Sequence, residues 1–490
     1  MSKPFRSVSR RVYIPDLKIQ EVKLDSESGE VTYVTVNDSH LSIVPDFPVL
    51  IQSDGIPWTL GNIYLIKRLE NTRKYESKTW ENLSSDLLHY LRWLESNDID
   101  PLYFHKTKRF ERPTYRYRAH LINEINSENT ANSTASNRMN TIIKFYKGLV
   151  AYNIIDNDIL TLAWEDKQLL VNILGRDLQS KTLSITSTDL AIKKASTQVR
   201  SDRINDGGQL RPLSDEEQKI LSENLRHSGM SYRLIFAIAI LTGARLQTIC
   251  TLRGKSLLDC IFDKENNRYL LHLKGGNQLV DTKKSQPLTI AFPAQLYDVL
   301  LRHWNSHESI NRRLKSFYGN SETNYLFLNK ESEPYQTSKQ EIIDRRDPKV
   351  LAKMSLTLSE ARSHTTRKGQ SIWSFINGVL LTRIRKEHSE YKDFSFHDLR
   401  ATFGMNTLET LLRVVDSHND SLKKQGKESN LGTEWVLEQV QQRMGHKDIA
   451  TTMRYLNFQR NQQFRAQIQS SVEDQLMKYI PSHLFDTDYE

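Results

Sequence analysis

Cysteine is nearly missing: the 490 residues include two, Cys250 and Cys260. Two thiols make neither a metal-ligand pattern nor a disulfide framework. A secreted disulfide scaffold is therefore excluded, and a reducing interior is expected. Long hydrophobic runs are missing too. The longest, "LIFAIAIL" over Leu234–Leu241, falls far short of the roughly 20 apolar residues that span a bilayer, so no membrane partner is expected. The opening stretch "MSKPFRSVSRRVYIPDL" has no apolar segment of the kind a secretory signal needs, and a cytoplasmic protein is expected. Glycine-rich nucleotide loops and metal-binding motifs are also lacking, which removes the commonest signs of ATP-driven and metal-dependent chemistry.

What is present in excess is positive charge. Lys and Arg number 68 against 59 Asp and Glu, a formal net charge of +9. That balance favours a polyanionic partner, nucleic acid ahead of an anionic membrane; a merely basic soluble protein has the same sum. Charged residues at 26% and apolar residues at 38% are ordinary for a globular chain. The length exceeds what one core organises, so two or three domains are expected.

The pattern along the chain predicts a multidomain protein, mainly α with small β-sheets. Residues 1–61 read as a β-containing segment, with "EVTYVTVND" alternating so that Val31, Tyr33 and Thr35 share a face. Residues 62–156 read as helical. Trp80, Leu83, Leu87, Leu91 and Leu94 recur at helical spacing, with Ser77 as cap, and Met139, Ile142, Ile143, Tyr146 and Val150 form a second apolar face. Arg138, Lys144 and Lys147 lie beside that face as candidate DNA contacts, although a solvated helix surface has the same look. Residues 157–208, polar and ending in "DGG", read as a linker with some strand content. Residues 209–490 form a mixed α+β domain, opened by a capping box of Ser214 and Glu217.

Four clusters in that last domain carry chemistry. In "AIAILTGARLQTICTLR" an apolar helix stops at Gly243 and a second begins near Arg245. A guanidinium placed there calls for an anionic partner, either an internal carboxylate or a substrate phosphate. In "NRYLLHLKGGNQLVDTKKSQPLTIAFP" two β-favouring runs flank turns that hold Lys283 and Lys284. In "FSFHDLRATFGMNTL" His397 and Arg400 are three apart and share a helix face. In "MGHKDIATTMRYL" Gly445 breaks one helix, Asp448 caps the next, and Tyr455 lies about two turns into it. Singly, each has a bland reading as solvated turn, exposed face or internal ion pair. Together they supply cations for the oxygens of a phosphodiester, a nucleophile, and an acid for the leaving oxygen.

In this order the clusters resemble the tyrosine recombinases of the phage-integrase family. The resemblance runs from about Arg211 to Phe464, and more loosely over Trp80 to Ile155, which is similar to that family's helical core-binding domain. It implies that Arg245 and Arg400 clamp the scissile phosphate of duplex DNA, His446 hydrogen-bonds it, and His397 assists proton transfer. Tyr455 is the implied nucleophile, forming a 3′-phosphotyrosyl link. Lys283 best fits the lysine that protonates the leaving 5′-oxygen, with Lys284 and Lys274 as alternatives.

The same resemblance implies strand exchange without cofactor, metal or ATP, a homotetramer on paired DNA sites, and integration or excision of a mobile element. Accessory DNA-bending or directionality proteins, and a place on a bacterial nucleoid, are further implications. Two features depart from the pattern: Thr248 stands where a supporting carboxylate is common, and the stretch from Arg413 to Gln439 is long. Alternatives are a topoisomerase-like or hairpin-forming tyrosine enzyme acting on one duplex, and a DNA-binding relative without catalysis.

Overall fold

The computed structural model describes residues 8–18, 20–24, 28–35, 43–72, 75–174, 180–193, 202–274, 279–428 and 431–479. The chain forms two compact units, Met1–Gln198 and Val199–Glu490. Among the described residues no helix is long and apolar enough to cross a membrane.

In the first unit, β1 (Arg10–Lys18) and β2 (Gln20–Leu24) precede β3 (Val31–Thr35) and β4 (Ile43–Ile51). Strand β1 pairs antiparallel with β4, and β2 with β3. Helices α1 (Thr59–Glu70), α2 (Ser77–Ser96), α3 (Pro113–Asn126), α4 (Asn132–Ala151) and α5 (Asp158–Ala163) follow. All five apolar positions expected on α2 are buried, as are Met139, Ile142, Ile143 and Tyr146 on α4. Apolar stripes at this spacing leave the helices no other way to remove them from water. Two expectations need correction. Glu76 precedes the first turn of α2, with no side-chain cap, and Ser77 is already helical. Val31 is exposed, while the side chains of Tyr33 and Thr35 lie outside the described residues. The strand that reaches the core is β4: Val44, Phe47 and Leu50 join Trp58, Trp80 and Leu87 in one cluster. Strand β4 is thus built into the core of the helical unit.

The stretch 157–208, expected as a linker, is divided between the two units. Strands β5 (Asp166–Leu174) and β6 (Ser180–Thr188) pair antiparallel. Beyond them Leu190 and Ile192 enter the first core. Asp189 anchors that end, accepting hydrogen bonds from Tyr115 Oη at 2.7 Å and the Glu165 amide at 3.0 Å. The polar composition that looked like a linker is in part this anchor.

The second unit opens with a miniature hairpin, β7 (Ile204–Asn205) and β8 (Gln209–Leu210), then α6 (Asp215–Leu225) and α7 (Met230–Thr242). The Ser214–Glu217 capping box is present. Helix α7 is apolar on nearly every side and runs through the core. It is followed by α8 (Leu246–Cys250), α9 (Gly254–Leu258), and a three-stranded antiparallel sheet of β9 (Ile261–Asp263), β10 (Arg268–Leu273) and β11 (Leu288–Pro293) in the order β11-β10-β9. Helices α10 (Ala294–Trp304), α11 (His307–Leu314), α12 (Lys339–Asp344), α13 (Pro348–Lys353), α14 (Leu358–Ser363), α15 (Gln370–Phe375) and α16 (Leu381–Ile384) complete this half. A second cluster forms where α17 (Asp398–Lys424), α18 (Thr433–Met444) and α19 (Ile449–Met477) pack with Ile204 and Leu210 of the hairpin. The first part of the long stretch, from Arg413 to Lys424, continues α17, and from Thr433 the stretch belongs to α18.

Candidate active site

Helix ends place most of the site. Gly243 closes α7 in the left-handed conformation, φ +64°, a region that costs a side chain but not glycine. The chain turns at once, and Arg245 becomes the residue before α8. Helix α17 starts because the Asp398 carboxylate accepts from the Ser395 amide at 2.7 Å and the Arg211 amide at 2.8 Å. His397 stands just before that helix and Arg400 in its first turn. Gly445 closes α18 at φ +61°, and the Asp448 carboxylate caps α19 through the Ala450 amide at 3.0 Å. His446 lies between those two ends and Tyr455 further into α19.

Arg400, buried rather than on an exposed face, ties the turns together. It donates from Nη1 to the Gly243 carbonyl at 2.7 Å and from Nη2 to the Met444 carbonyl at 2.6 Å. The backbone that carries Arg245 and the backbone that carries His446 are thus fixed to one guanidinium. Its remaining Nε faces Asp206 Oδ2 at 3.2 Å.

Asp206 sits at the tip of the β7–β8 hairpin, and its Oδ2 is the meeting point of the site. The Tyr455 hydroxyl donates to it at 3.1 Å, and so does His446 Nε2 at 3.1 Å. His446 Nδ1 lies 3.0 Å from Thr452 Oγ1. The Thr452 hydroxyl, able to donate or accept, orients the ring so that Nε2 faces the carboxylate. Burial alone would raise the Asp206 carboxyl, but the hydrogen bond from His446 and the charge of Arg400 outweigh it and hold the group well below the usual carboxylate range. Burial lowers His446, against the pull of Asp206. It lowers His397 as well, helped by Arg400. Burial and the Asp206 charge raise Tyr455, so its hydroxyl holds its proton here.

Arg245 differs from an ordinary buried arginine. Arg253 spends its guanidinium internally, on the carbonyls of Leu279 at 3.1 Å and Thr323 at 3.0 Å and over the Tyr325 ring. Arg245 Nε is buried with no hydrogen-bond partner among the described residues. Burial and the neighbouring Arg400 bring its guanidinium down to about 10. Two guanidiniums around one carboxylate leave room for more negative charge.

Lys283 starts a tight helical turn between β10 and β11. Its Nζ lies 3.1 Å, and His397 Nε2 3.9 Å, from where a Cβ on Gly207 would stand. Both therefore flank the Asp206 turn. Lys274, at the far end of β10, is exposed, and the side chain of Lys284 lies outside the described residues. Arg245, Lys283, His397, Arg400, His446 and Tyr455 are therefore gathered around one small volume.

The three candidate DNA contacts of the first unit divide. Lys144 is exposed, and Lys147 is exposed with its Nζ 5.6 Å from the centre of the Trp164 ring. Arg138 is engaged internally, with His89 Nε2 at 3.0 Å and Glu124 Oε2 at 3.3 Å. Two residues went unnoticed in the sequence. Thr452 lay inside a quoted motif without a role, and Asp206 was hidden in the "DGG" taken as the end of a linker.

No protein-family model and no curated protein matches the sequence. Solved structures do. A fragment of the Tn1549 transposon integrase in complex with a circular intermediate DNA matches at 14% identity and TM-score 0.45, covering 83% of this chain and 99% of that one. A lambda integrase dimer bound to a COC′ core site matches at 14% identity and TM-score 0.38, covering 81% of this chain and 94% of that one. A lambda integrase tetramer bound to a Holliday junction matches at 14% identity and TM-score 0.37, covering 80% and 77%. Over most of its length, what this chain is similar to is a set of integrases held on DNA.

Proposed function

We propose that the protein is a site-specific tyrosine recombinase of the integrase or transposase type, cutting and rejoining duplex DNA through a phosphotyrosine. The observation that carries this is the convergence of Tyr455, His446 and Arg400 on one anionic oxygen, with Arg245 Nε beside them and without a partner among the described residues. Attack on a phosphodiester requires donors that hold a non-bridging oxygen and a hydroxyl near enough to reach the phosphorus bonded to it, and an anionic oxygen held by these donors would lie beside the Tyr455 hydroxyl.

In the first step Tyr455 Oη attacks phosphorus and loses its proton with the help of His397. The P–O5′ bond breaks, and Lys283 protonates the departing oxygen. Arg245, Arg400 and His446 hold the non-bridging oxygens as charge develops on them. In the second step the 5′-hydroxyl of a partner strand attacks the phosphotyrosine and releases Tyr455. The chain's own guanidiniums supply the positive charge and the phosphotyrosine conserves the bond energy, so neither metal nor ATP is called for.

Exchange between two DNA sites needs several copies, in this family's usual form a tetramer. Phe464, Ile468, Val472 and Leu476 are exposed at four-residue spacing along α19, an apolar stripe suited to a second copy of this chain. Integration or excision of a mobile element, assisted by accessory DNA-bending proteins, is the setting in which such an enzyme acts.

The test is incubation with nicked duplexes drawn from the DNA that flanks the gene. A covalent protein–DNA adduct lost in Tyr455→Phe, and unchanged by a chelator, is expected. No adduct on any flanking sequence would leave a DNA-binding protein without catalysis. Relaxation of a supercoiled plasmid with no two-site product would point to a topoisomerase-like enzyme.

A further inference from the structure

We propose that the Asp206 turn is a built-in phosphate mimic: its carboxylate occupies the anion position of the active site, and duplex DNA must expel it before Tyr455 can react. This rests on the recombinase reading and adds a regulatory state to it.

The first argument is coincidence of position. A phosphate oxygen held by His446 Nε2 and Arg400 Nε would lie where Asp206 Oδ2 now lies, 3.1 and 3.2 Å from those two donors and 3.1 Å from the Tyr455 hydroxyl. The second is charge. Asp206 is buried at 4% exposure and ionised, so a phosphodiester entering the same pocket would meet a like charge at contact distance. Carboxylate and phosphate exclude each other by both size and sign.

The construction of the turn suits a removable plug. Strands β7 and β8 meet through two residue pairs, Ile204 with Leu210 and Asn205 with Gln209. Gly207, at φ +73°, lets the tip pass between Lys283 and His397. Ile204 and Leu210 seat the base among the residues around Tyr455, and Arg454 Nη1 donates to the Asn205 carbonyl at 2.6 Å. Little secondary structure must break to withdraw it. With the plug in place Tyr455 keeps its proton and has no phosphorus to attack. The rival role for Asp206 is a permanent positioning carboxylate, standing in for the one lacking at Thr248. A permanent group would have to remain while phosphate is bound.

The experiment uses the full-length protein and inorganic phosphate. Asp206→Asn and Asp206→Ser should each bind phosphate about tenfold tighter by calorimetry than the unmodified chain, the factor recovered when a site closed nine-tenths of the time is opened. Adding Arg400→Ala should abolish that binding. In the unmodified chain, saturating phosphate should speed amide hydrogen exchange over residues 204–210. Phosphate bound no tighter by either variant overturns the proposal, and so does unchanged exchange with phosphate bound. These readouts need no DNA chemistry. Tighter phosphate binding with no covalent adduct on any duplex would sink the recombinase reading and leave the plug standing. An adduct with unchanged phosphate affinity would do the reverse.

Discussion

Replacing Arg400 by alanine tests whether one guanidinium holds the site together. The side chain is 4% exposed and donates to two backbone carbonyls and one buried carboxylate. Removing one partner of a buried ion pair costs about 3–5 kcal/mol, because the other charge stays buried. Each stranded carbonyl adds about 1–3 kcal/mol unless water reaches it. These costs overlap, so a loss of about 4 kcal/mol is expected, a large share of the roughly 5–15 kcal/mol that stabilises a domain. With a urea slope near 3 kcal/mol/M, the unfolding midpoint should fall by more than about 1 M, read by circular dichroism. Arg400→Lys keeps the charge but lacks the planar fork that serves two carbonyls and an anion together, and should recover less than half of the loss. Adduct formation should fall by about 100- to 1000-fold or more, the scale of one lost oxyanion donor. A midpoint shift below about 0.3 M would refute the guanidinium as the tie between the Gly243 and Met444 turns.

Gly404→Ala would set a Cβ 2.6 Å from both Met444 Sδ and Tyr455 Cε1. It should destabilise by about 1–3 kcal/mol in urea unfolding, and an unchanged midpoint would contradict this packing of α17 against α18 and α19. His89 is lowered to about 4 by burial and by Arg138. Its folded value lies below its unfolded value of about 6.5, so the stability it contributes is present above that value and is lost as pH falls towards 4. The loss is on the order of 2–3 kcal/mol, and His89→Gln should flatten the thermal midpoint over this range; an identical pH slope would refute it. Lys144→Ala should leave stability unchanged and reduce the slope of log affinity for duplex DNA against log salt by about 1, whereas an unaltered slope would remove Lys144 from the DNA surface. Arg138→Ala should instead lower the melting temperature, since its guanidinium bonds to Glu124 and His89.

The sequence by itself determined what local physics controls. The apolar spacing of α2 and α4, the Ser214–Glu217 box, and the stops at Gly243 and Gly445 are nearest-neighbour properties, and each is where the periodicity and the glycines put it. Those stops and starts also carry Arg245, His397, Arg400, His446 and Tyr455, which is why the motif order was legible.

Other features follow only from packing between distant segments. Serine's capping preference wrongly favoured Ser77, because the turn before α2 leaves Glu76 at that position without a side-chain bond. The segment 157–208 looked like a linker because polar anchoring residues such as Asp189 have no periodicity. Only the tertiary structure decided that Asp206, nearly 200 residues before Arg400 and about 250 before Tyr455 in the chain, lies between them. A carboxylate's partners are chosen by where the backbone delivers it. A three-residue turn carries no trace in its own sequence of the arginine, histidine and tyrosine it will meet.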